Sequence, residues 1–385
     1  MMKVISVVGA RPNFMKIAPF CRAVTTHNAS GKNPRIEHLL VHTGQHYDVK
    51  MSDSFFIDLN IPEPDIHLNI GSGSHAEQVG RTMIEFEKVL QTENPDWVVV
   101  VGDVNATCAC SITAKKEHVK LAHIEAGLRS GDIDMPEEVN RLVTDRLADL
   151  LLTPDRISSE NLRKEGIAEN RISFVGNIMI DTLEEQREKA SQQIPSGIVD
   201  RELLFVRSLP PLPDNGFAVI TMHRPSNVDQ MEILTPLVDF LIDRVAKDLP
   251  LLWPIHPRTK KQLERFGLWD KVVSTPGLIL LNPLGYHDML RLNMGARLML
   301  TDSGGLQEEC CVLGTPCLTM RWNTERPVTL QEHGGAAILV GNEVAQIQTA
   351  YQNVFSSGRK PQRPEFWDGN TAQRIVDVIL NYGCK

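Results

Sequence analysis

The sequence predicts an α/β protein built from two doubly wound parallel sheets, and three observations point there. Short, wholly apolar runs alternate with longer amphipathic stretches; the alternation pauses after residue 175 and restarts at residue 217; and glycine, histidine and acidic residues collect where the apolar runs end. Strands buried on both faces read as continuous apolar runs, and parallel strands need a helical crossover between them.

In the first half the runs are 4–8, 38–41, 97–101, 121–124, 150–152 and 172–175; in the second they are 217–221, 251–255, 278–281, 298–300, 316–319 and 336–340. Residues 181–193 read as a charged helix, and the proline-rich 209–216 punctuates the chain before the second set. The first domain is placed at 1–176 and the second at 177–364, with a last helix at 371–382 returning to the first, so that about 365–385 belongs with it. No low-complexity tract or short repeat interrupts this order.

A chain of 385 residues, 42% hydrophobic, holds two cores of ordinary size. Its net charge of -8 argues against a nucleic-acid partner, which selects a strongly basic face. The seven cysteines are odd in number and include no Cys-x-x-Cys pair, so neither a disulfide framework nor a zinc site is expected. The N-terminus lacks the pattern of a secretory leader and no stretch approaches the ~20 apolar residues of a membrane span. The expectation is a reduced, cytoplasmic protein that does not enter a membrane.

The residues at the strand ends carry the chemistry. In the first half these are Gly9-Ala10-Arg11-Pro12, Thr43-Gly44-Gln45-His46, Gly102-Asp103 and Glu125-Ala126-Gly127. In the second half they are Met222-His223-Arg224-Pro225, His256-Pro257-Arg258 and Asp302-Ser303-Gly304-Gly305. Open α/β sheets bind ligands beyond the carboxyl ends of their strands, so both domains are expected to offer a functional edge to one cleft.

Each motif has an ordinary structural reading beside a functional one. Ser303 can cap the helix that follows, while Gly304 and Gly305 let a phosphate approach its free N–H groups, and Glu308 and Glu309 can reach ribose hydroxyls. Arg11 and Lys16 suit a phosphate, the first as a fork of donors and the second as a mobile charge, although surface solvation is the usual fate of both. Gly9-Ala10-Arg11-Pro12-Asn13 departs from Gly-x-Gly-x-x-Gly, so no nicotinamide cofactor is expected. Pro136 suits the first turn of a helix, where Glu137 and Glu138 could serve its dipole or catalysis equally well. Asp103 and Glu125 each interrupt the end of an apolar run, a placement typical of proton donors and acceptors. His223 is a candidate catalytic group and His256 a lesser one, while His118 and His287 are expected at the surface. No metal site is expected, because no His, Cys and Asp set has ligand spacing on one element.

Taken together, Gly9-Ala10-Arg11-Pro12 with Lys16, Gly102-Asp103, His123-Ile124-Glu125-Ala126-Gly127-Leu128-Arg129, Pro136-Glu137-Glu138 with Asn140-Arg141, His223-Arg224, the run 302–309 and Thr324-Glu325-Arg326-Pro327 resemble the UDP-N-acetylglucosamine 2-epimerase family, non-hydrolysing type, in order and across nearly the whole chain. The resemblance implies two Rossmann-like domains in a GT-B-like arrangement, with reversible conversion of UDP-N-acetylglucosamine to UDP-N-acetylmannosamine and no cofactor or metal. It implies Asp103, Glu125 and Glu137 as acid/base groups with His223 assisting. Arg11, Lys16, Ser303, Gly304, Gly305, Glu309 and Arg326 are implied to hold substrate and UDP, with Leu284 near the uracil. A homodimer is implied as well.

The chain also departs from the pattern. Pro225-Ser226 follows His223-Arg224 where bacterial members often carry Arg-Glu, Met289 stands where an aromatic residue is common, and Gln45-His46 continues as Tyr47-Asp48. Tyr47-Asp48 and Gly71-Ser72-Gly73-Ser74 resemble a branch that includes archaeal epimerases and enzymes acting on UDP-2,3-diacetamido-glucuronic acid. That substrate, a hydrolysing epimerase, a GT-B glycosyltransferase and a noncatalytic nucleotide-sugar sensor are the alternatives.

Overall fold

The computed structural model of the protein describes residues 1–9, 11–44, 61–205, 212–213, 216–355 and 358–382, with the backbone alone at 11, 12 and 355. The chain forms two compact units, Met1–Glu185 with Pro364–Lys385, and Gln186–Arg363. The division falls inside the helix Ile178–Ser191, later in the chain than the change of domain near 176 drawn from sequence.

The first unit is a parallel sheet of seven strands: β1 (Met2–Val8), β2 (Ile36–His42), β3 (Ile66–His67), β4 (Trp97–Val101), β5 (Lys120–Ile124), β6 (Leu150–Thr153) and β7 (Ile172–Phe174), in the order β3-β2-β1-β4-β5-β6-β7. Every residue of β4 is buried, as a strand covered on both faces must be. One side of the sheet packs Ile5, Val7, Val98 and Val100 against Phe86, Val89 and Leu90 of the helix His75–Glu93.

The second unit has six parallel strands: β8 (Ala218–Thr221), β9 (Leu251–Pro254), β10 (Leu278–Leu281), β11 (Leu298–Thr301), β12 (Cys317–Thr319) and β13 (Ala337–Leu339), in the order β10-β9-β8-β11-β12-β13. Alternation explains why its strands are apolar throughout. Ala218, Ile220, Leu278, Leu280, Leu298 and Leu300 enter one core, while Val219, Ile279, Leu281 and Met299 enter a second core on the opposite face.

In both sheets the winding reverses beside the first strand, at β1/β4 and at β8/β11. Crevices for ligands open beyond the carboxyl ends of strands at such reversals.

The first unit is discontinuous in sequence. Its last helix, Thr371–Leu380, packs on the helix Arg11–Ala29, and the buried Asp181 carboxylate accepts the N–H groups of Thr371 at 3.1 Å and Ala372 at 2.7 Å. Asp181 thereby does for that helix what a side-chain N-cap does locally. Among the described residues no helix is long and apolar enough to cross a membrane.

Candidate active site

Asn13 ties the two strands of the first reversal together. Its Nδ2 donates to Val101 O at 2.9 Å across the β1/β4 gap, and its Oδ1 accepts the Gly9 N–H at 3.3 Å. One helical turn further, Lys16 is buried with its ammonium on Glu125 Oε2, just beyond β5. Space there is tight: a methyl group at Gly102 would lie 3.3 Å from both Asn13 Nδ2 and Lys16 Nζ, and 3.7 Å from Glu125 Oε2. Glycine, at φ +69°, is what lets these groups crowd the turn that leads into Asp103.

Glu125 is 4% exposed and has φ 71°, a left-handed conformation that costs a residue with a side chain ~1–3 kcal/mol. Its second oxygen, Oε1, is buried with no hydrogen-bond partner among the described residues. Packing alone rewards neither feature, and an unpartnered buried carboxylate oxygen in a strained backbone position calls for an explanation beyond packing.

Asp103 is held from the helix Pro136–Leu147. The Arg141 guanidinium pairs with Asp103 Oδ2, and Asn140 Nδ2 donates to the Asp103 carbonyl at 2.9 Å. The other side of Arg141 serves Glu138, with Nε donating to Oε2 at 3.0 Å; Ser130 N–H and Oγ, each at 3.0 Å, and Gly131 N–H at 3.1 Å complete that carboxylate's shell. Burial works to raise the Glu138 carboxyl, and the Ser130 N–H and Arg141 outweigh it and hold the group below the ordinary range. Glu137 is exposed at the same helix start. The two adjacent glutamates, alike in sequence, are thus separated: Glu138 braces the loop and Arg141, and Glu137 stays open. Arg11 begins the helix Arg11–Ala29, but its side chain lies outside the described residues.

At the second reversal Asp302, following β11, does the bridging. Its Oδ2 accepts the backbone N–H groups of His223 at 2.9 Å and Arg224 at 2.8 Å and Asn227 Nδ2 at 3.1 Å, and its Oδ1 lies 2.8 Å from His223 Nδ1. Burial favours the neutral acid, and the His223 ring with these donors overrides it, keeping Asp302 below the usual carboxylate range. The His223 ring stacks 5.3 Å from that of His256, which accepts the Arg258 N–H at 3.1 Å and caps the helix Pro257–Arg265. His256 therefore has a structural task.

Ser303 stands at the N-cap of the helix Gly304–Leu313, yet its side chain makes no cap hydrogen bond, contrary to the capping read from sequence. The turn is anchored by its neighbours instead, through the Asp302 carboxylate and through Thr301 Oγ1, which accepts the Ser303 N–H at 3.0 Å. Gly304 admits Arg326: a methyl group there would lie 2.6 Å from Arg326 Nη1 and 2.9 Å from Glu325 Oε1. Gly305 follows in the first turn, where N–H groups have no partner within the helix. Arg326 is buried, pairing through Nε with Glu308 Oε1 at 2.7 Å and through Nη1 with Glu325, which also takes Arg321 at 2.6 Å.

Glu309 faces a different neighbourhood. Burial pushes its carboxyl up to about 7, against the pull of hydrogen bonding from Asn293 and Tyr286. Leu284 is 7% exposed and belongs to the apolar core with Phe217, Leu281 and Met299. His287, expected at the surface, is buried, with Nε2 2.7 Å from Gln186 Oε1, because the helix Tyr286–Gly295 turns that position inward. Among the described residues no three His, Cys, Asp or Glu side chains gather as a metal site would require.

Sequence reasoning missed Asn13, Asp145, Asn227 and the support given by Arg141 and Asp302. Their signal was present, since each polar residue sits one helical turn from, or directly beside, a quoted motif.

Known proteins resemble this chain in sequence and in fold. The sequence model of the UDP-N-acetylglucosamine 2-epimerase family matches residues 28–380. A UDP-N-acetylglucosamine 2-epimerase of Methanocaldococcus jannaschii is 41% identical over 383 residues, covering 99% of this chain and 100% of that protein. A UDP-2,3-diacetamido-2,3-dideoxy-D-glucuronate 2-epimerase of Pseudomonas aeruginosa is 38% identical over 382 residues, covering 98% and 99%. The crystal structure of the M. jannaschii UDP-GlcNAc 2-epimerase in complex with UDP-GlcNAc and UDP superposes with a TM-score of 0.87 at 40% identity, covering 99% of this chain and 100% of that one. On this match in sequence and in fold, the chain belongs to the UDP-N-acetylglucosamine 2-epimerase family.

Proposed function

We propose that the protein catalyses the reversible C2 epimerisation of UDP-N-acetylglucosamine to UDP-N-acetylmannosamine, through anti elimination of UDP to a 2-acetamidoglucal and its re-addition. The observation that carries this reading is Glu125: buried, held in a left-handed conformation and paired with Lys16 beside the Gly102-Asp103 turn.

The hydrogen at C2 of the sugar is not next to a carbonyl, so its direct removal would leave a poorly stabilised carbanion. Loosening the C1–O bond to UDP first solves this, because positive charge is shared with the ring oxygen while negative charge gathers on the diphosphate. The C2–H electron pair then forms the C1=C2 bond, the proton passes to a carboxylate, and the C1–O pair leaves on UDP. In the return step a second acid protonates the opposite face of C2 and the UDP oxygen bonds again to C1. Inversion therefore needs more than one carboxylate, and Asp103, Glu125 and Glu137 are assigned to it.

The second unit is assigned to UDP. Gly304, Gly305 and Ser303 present helix-end N–H groups to the diphosphate, Arg326 adds positive charge, Glu309 takes ribose hydroxyls and Leu284 lies near the uracil. His223 assists as the C1–O bond breaks, with Asp302 fixing its ring. Stabilisation of departing UDP by such preorganised donors accelerates the reaction most, and acid–base assistance adds ~10²–10⁴-fold. Arg11 and Lys16 complete the substrate contacts. The working form is a homodimer in the cytoplasm, which light scattering of the purified protein tests for its assembly.

The deciding experiment is incubation with UDP-N-acetylglucosamine in D₂O without added NAD. Deuterium at C2 of both sugars and formation of the manno epimer are expected; no exchange would defeat the proposal, and accumulation of UDP with free sugar would make the enzyme hydrolytic. The P. aeruginosa relative motivates a second reading, epimerisation of UDP-2,3-diacetamido-glucuronic acid. A higher kcat/KM for that sugar in the same assay would establish it instead.

A further inference from the structure

One buried ion pair of the first unit lies outside every role assigned so far. His123, 0% exposed in β5, and Asp145, 1% exposed near the end of the helix Pro136–Leu147, meet at 2.6 Å between Nδ1 and Oδ1. The other ring nitrogen, Nε2, donates to the Gly102 carbonyl at 2.9 Å. The second Asp145 oxygen accepts the Gly127 N–H at 3.0 Å and Arg129 Nη1 at 2.7 Å. Arg129 continues to Glu165, with Nε to Oε1 at 2.7 Å.

These links have a particular geography. Gly102 precedes Asp103, and Gly127 follows Glu125 by two residues. The chain Gly102 O, His123, Asp145, Gly127 N–H therefore joins the turns that carry both carboxylates, on different strands, into one hydrogen-bonded frame. Gly102 N–H closes it by donating to Ile124 O at 3.2 Å. A fold in need only of hydrophobic packing would place an apolar residue at His123, whose flanking Ala122 and Ile124 are apolar and buried. Burial opposes the charged form of Asp145, and His123 and Arg129 together outweigh it, so the group accepts as a carboxylate. The Gly102 carbonyl also only accepts, so each ring nitrogen of His123 faces an acceptor.

We propose that His123 and Asp145 are positioning residues, which hold the Gly102-Asp103 and Glu125-Ala126-Gly127 turns at the mutual placement that proton transfer at C2 requires. The proposal rests on the acid–base reading above. The other charged groups around this frame are the Lys16–Glu125 pair and the Asp103–Arg141–Glu138 chain, whose ion pairs run among themselves while the His123 ring is taken up by Asp145 and the Gly102 carbonyl.

The test uses the full-length Asp145→Asn and His123→Gln proteins beside wild type. Asparagine keeps the size of the side chain but loses one acceptor, and glutamine keeps a donor for the Gly102 carbonyl. Expected are a fall in kcat of roughly 10²-fold or more for UDP-N-acetylglucosamine, which is the scale of an ångström of misplacement, with KM and the calorimetric affinity for UDP changed less than about threefold, and partial recovery of kcat in Asp145→Glu. Variants that lose thermal stability while keeping wild-type kcat per folded protein would overturn the proposal. A second measurement covers the case in which the variants do not fold. In ¹⁵N-histidine spectra of wild type, His123 should show two slowly exchanging ring N–H groups, and a single ring N–H would also overturn it. These spectra need no substrate, so an inactive wild type defeats the epimerase reading and a singly protonated His123 defeats this one.

Discussion

The Lys16 ammonium and the Glu125 carboxylate form a buried ion pair packed together against the Gly102 turn. A charge stripped of its buried partner costs roughly 3–5 kcal/mol, whereas loss of both costs less. Lys16→Met should therefore destabilise by about that amount in denaturant unfolding, and Lys16→Met combined with Glu125→Gln should recover part of it. Turnover should remain lost in both. Additive destabilisation in the double variant would show that the two side chains do not act as a pair.

Adjacent glutamates should separate cleanly. Glu137→Gln, at an exposed position, should keep the unfolding free energy within about 0.5 kcal/mol while lowering kcat by ~10²–10⁴-fold. Glu138→Gln removes the charge that takes Arg141, Ser130 and Gly131 and should destabilise by about 1–3 kcal/mol. Equal kinetic effects with equal stability would contradict this division.

Glu309 makes stability depend on pH. Its ordinary value is 4.5, and burial takes it to about 7 in the folded protein, so the folded state binds its proton more tightly than the unfolded one. This contribution is fully favourable below the unfolded value and is lost as pH rises through the folded one. Between pH 4.5 and about 7 the loss is on the order of 3 kcal/mol. Glu309→Gln should flatten that part of the stability curve and melt higher than wild type at pH 8. An unchanged pH profile in thermal unfolding would count against the buried acid.

Gly304→Ala tests the anion cradle. The added methyl group meets Arg326 Nη1 at 2.6 Å, so the guanidinium must leave the helix end. Calorimetry should record at least a tenfold weaker affinity for UDP, which corresponds to roughly 1.4 kcal/mol. Unchanged affinity would remove Gly304 and Arg326 from the assigned site.

Twelve of the strands were legible because a strand buried on both faces leaves a continuous apolar run, as in 97–101 and 278–281. The strand Ile66–His67 was not, since two residues at a sheet edge leave no periodicity to read. Motif positions at strand ends were visible for the same reason that the strands were. Their pairing was not: only the strand order brings Asn13 to Val101 and Asp302 to His223, and spacing along the chain carries no record of it. Ser303 shows the reverse error, a residue type suited to capping whose turn is already secured by Asp302 and Thr301.

The carboxylate of Asp181 finishes a helix nearly two hundred positions downstream, a contact that can form only once the chain has been made to that point. Residues 186–363 are contiguous and can acquire their native packing as soon as they emerge from the ribosome, but the earlier segment must wait for 364–380 before its own architecture is complete. The part of the polypeptide made first is thus completed by the part made last, because the face of the helix Arg11–Ala29 that Thr371–Leu380 covers has no cover until that segment exists.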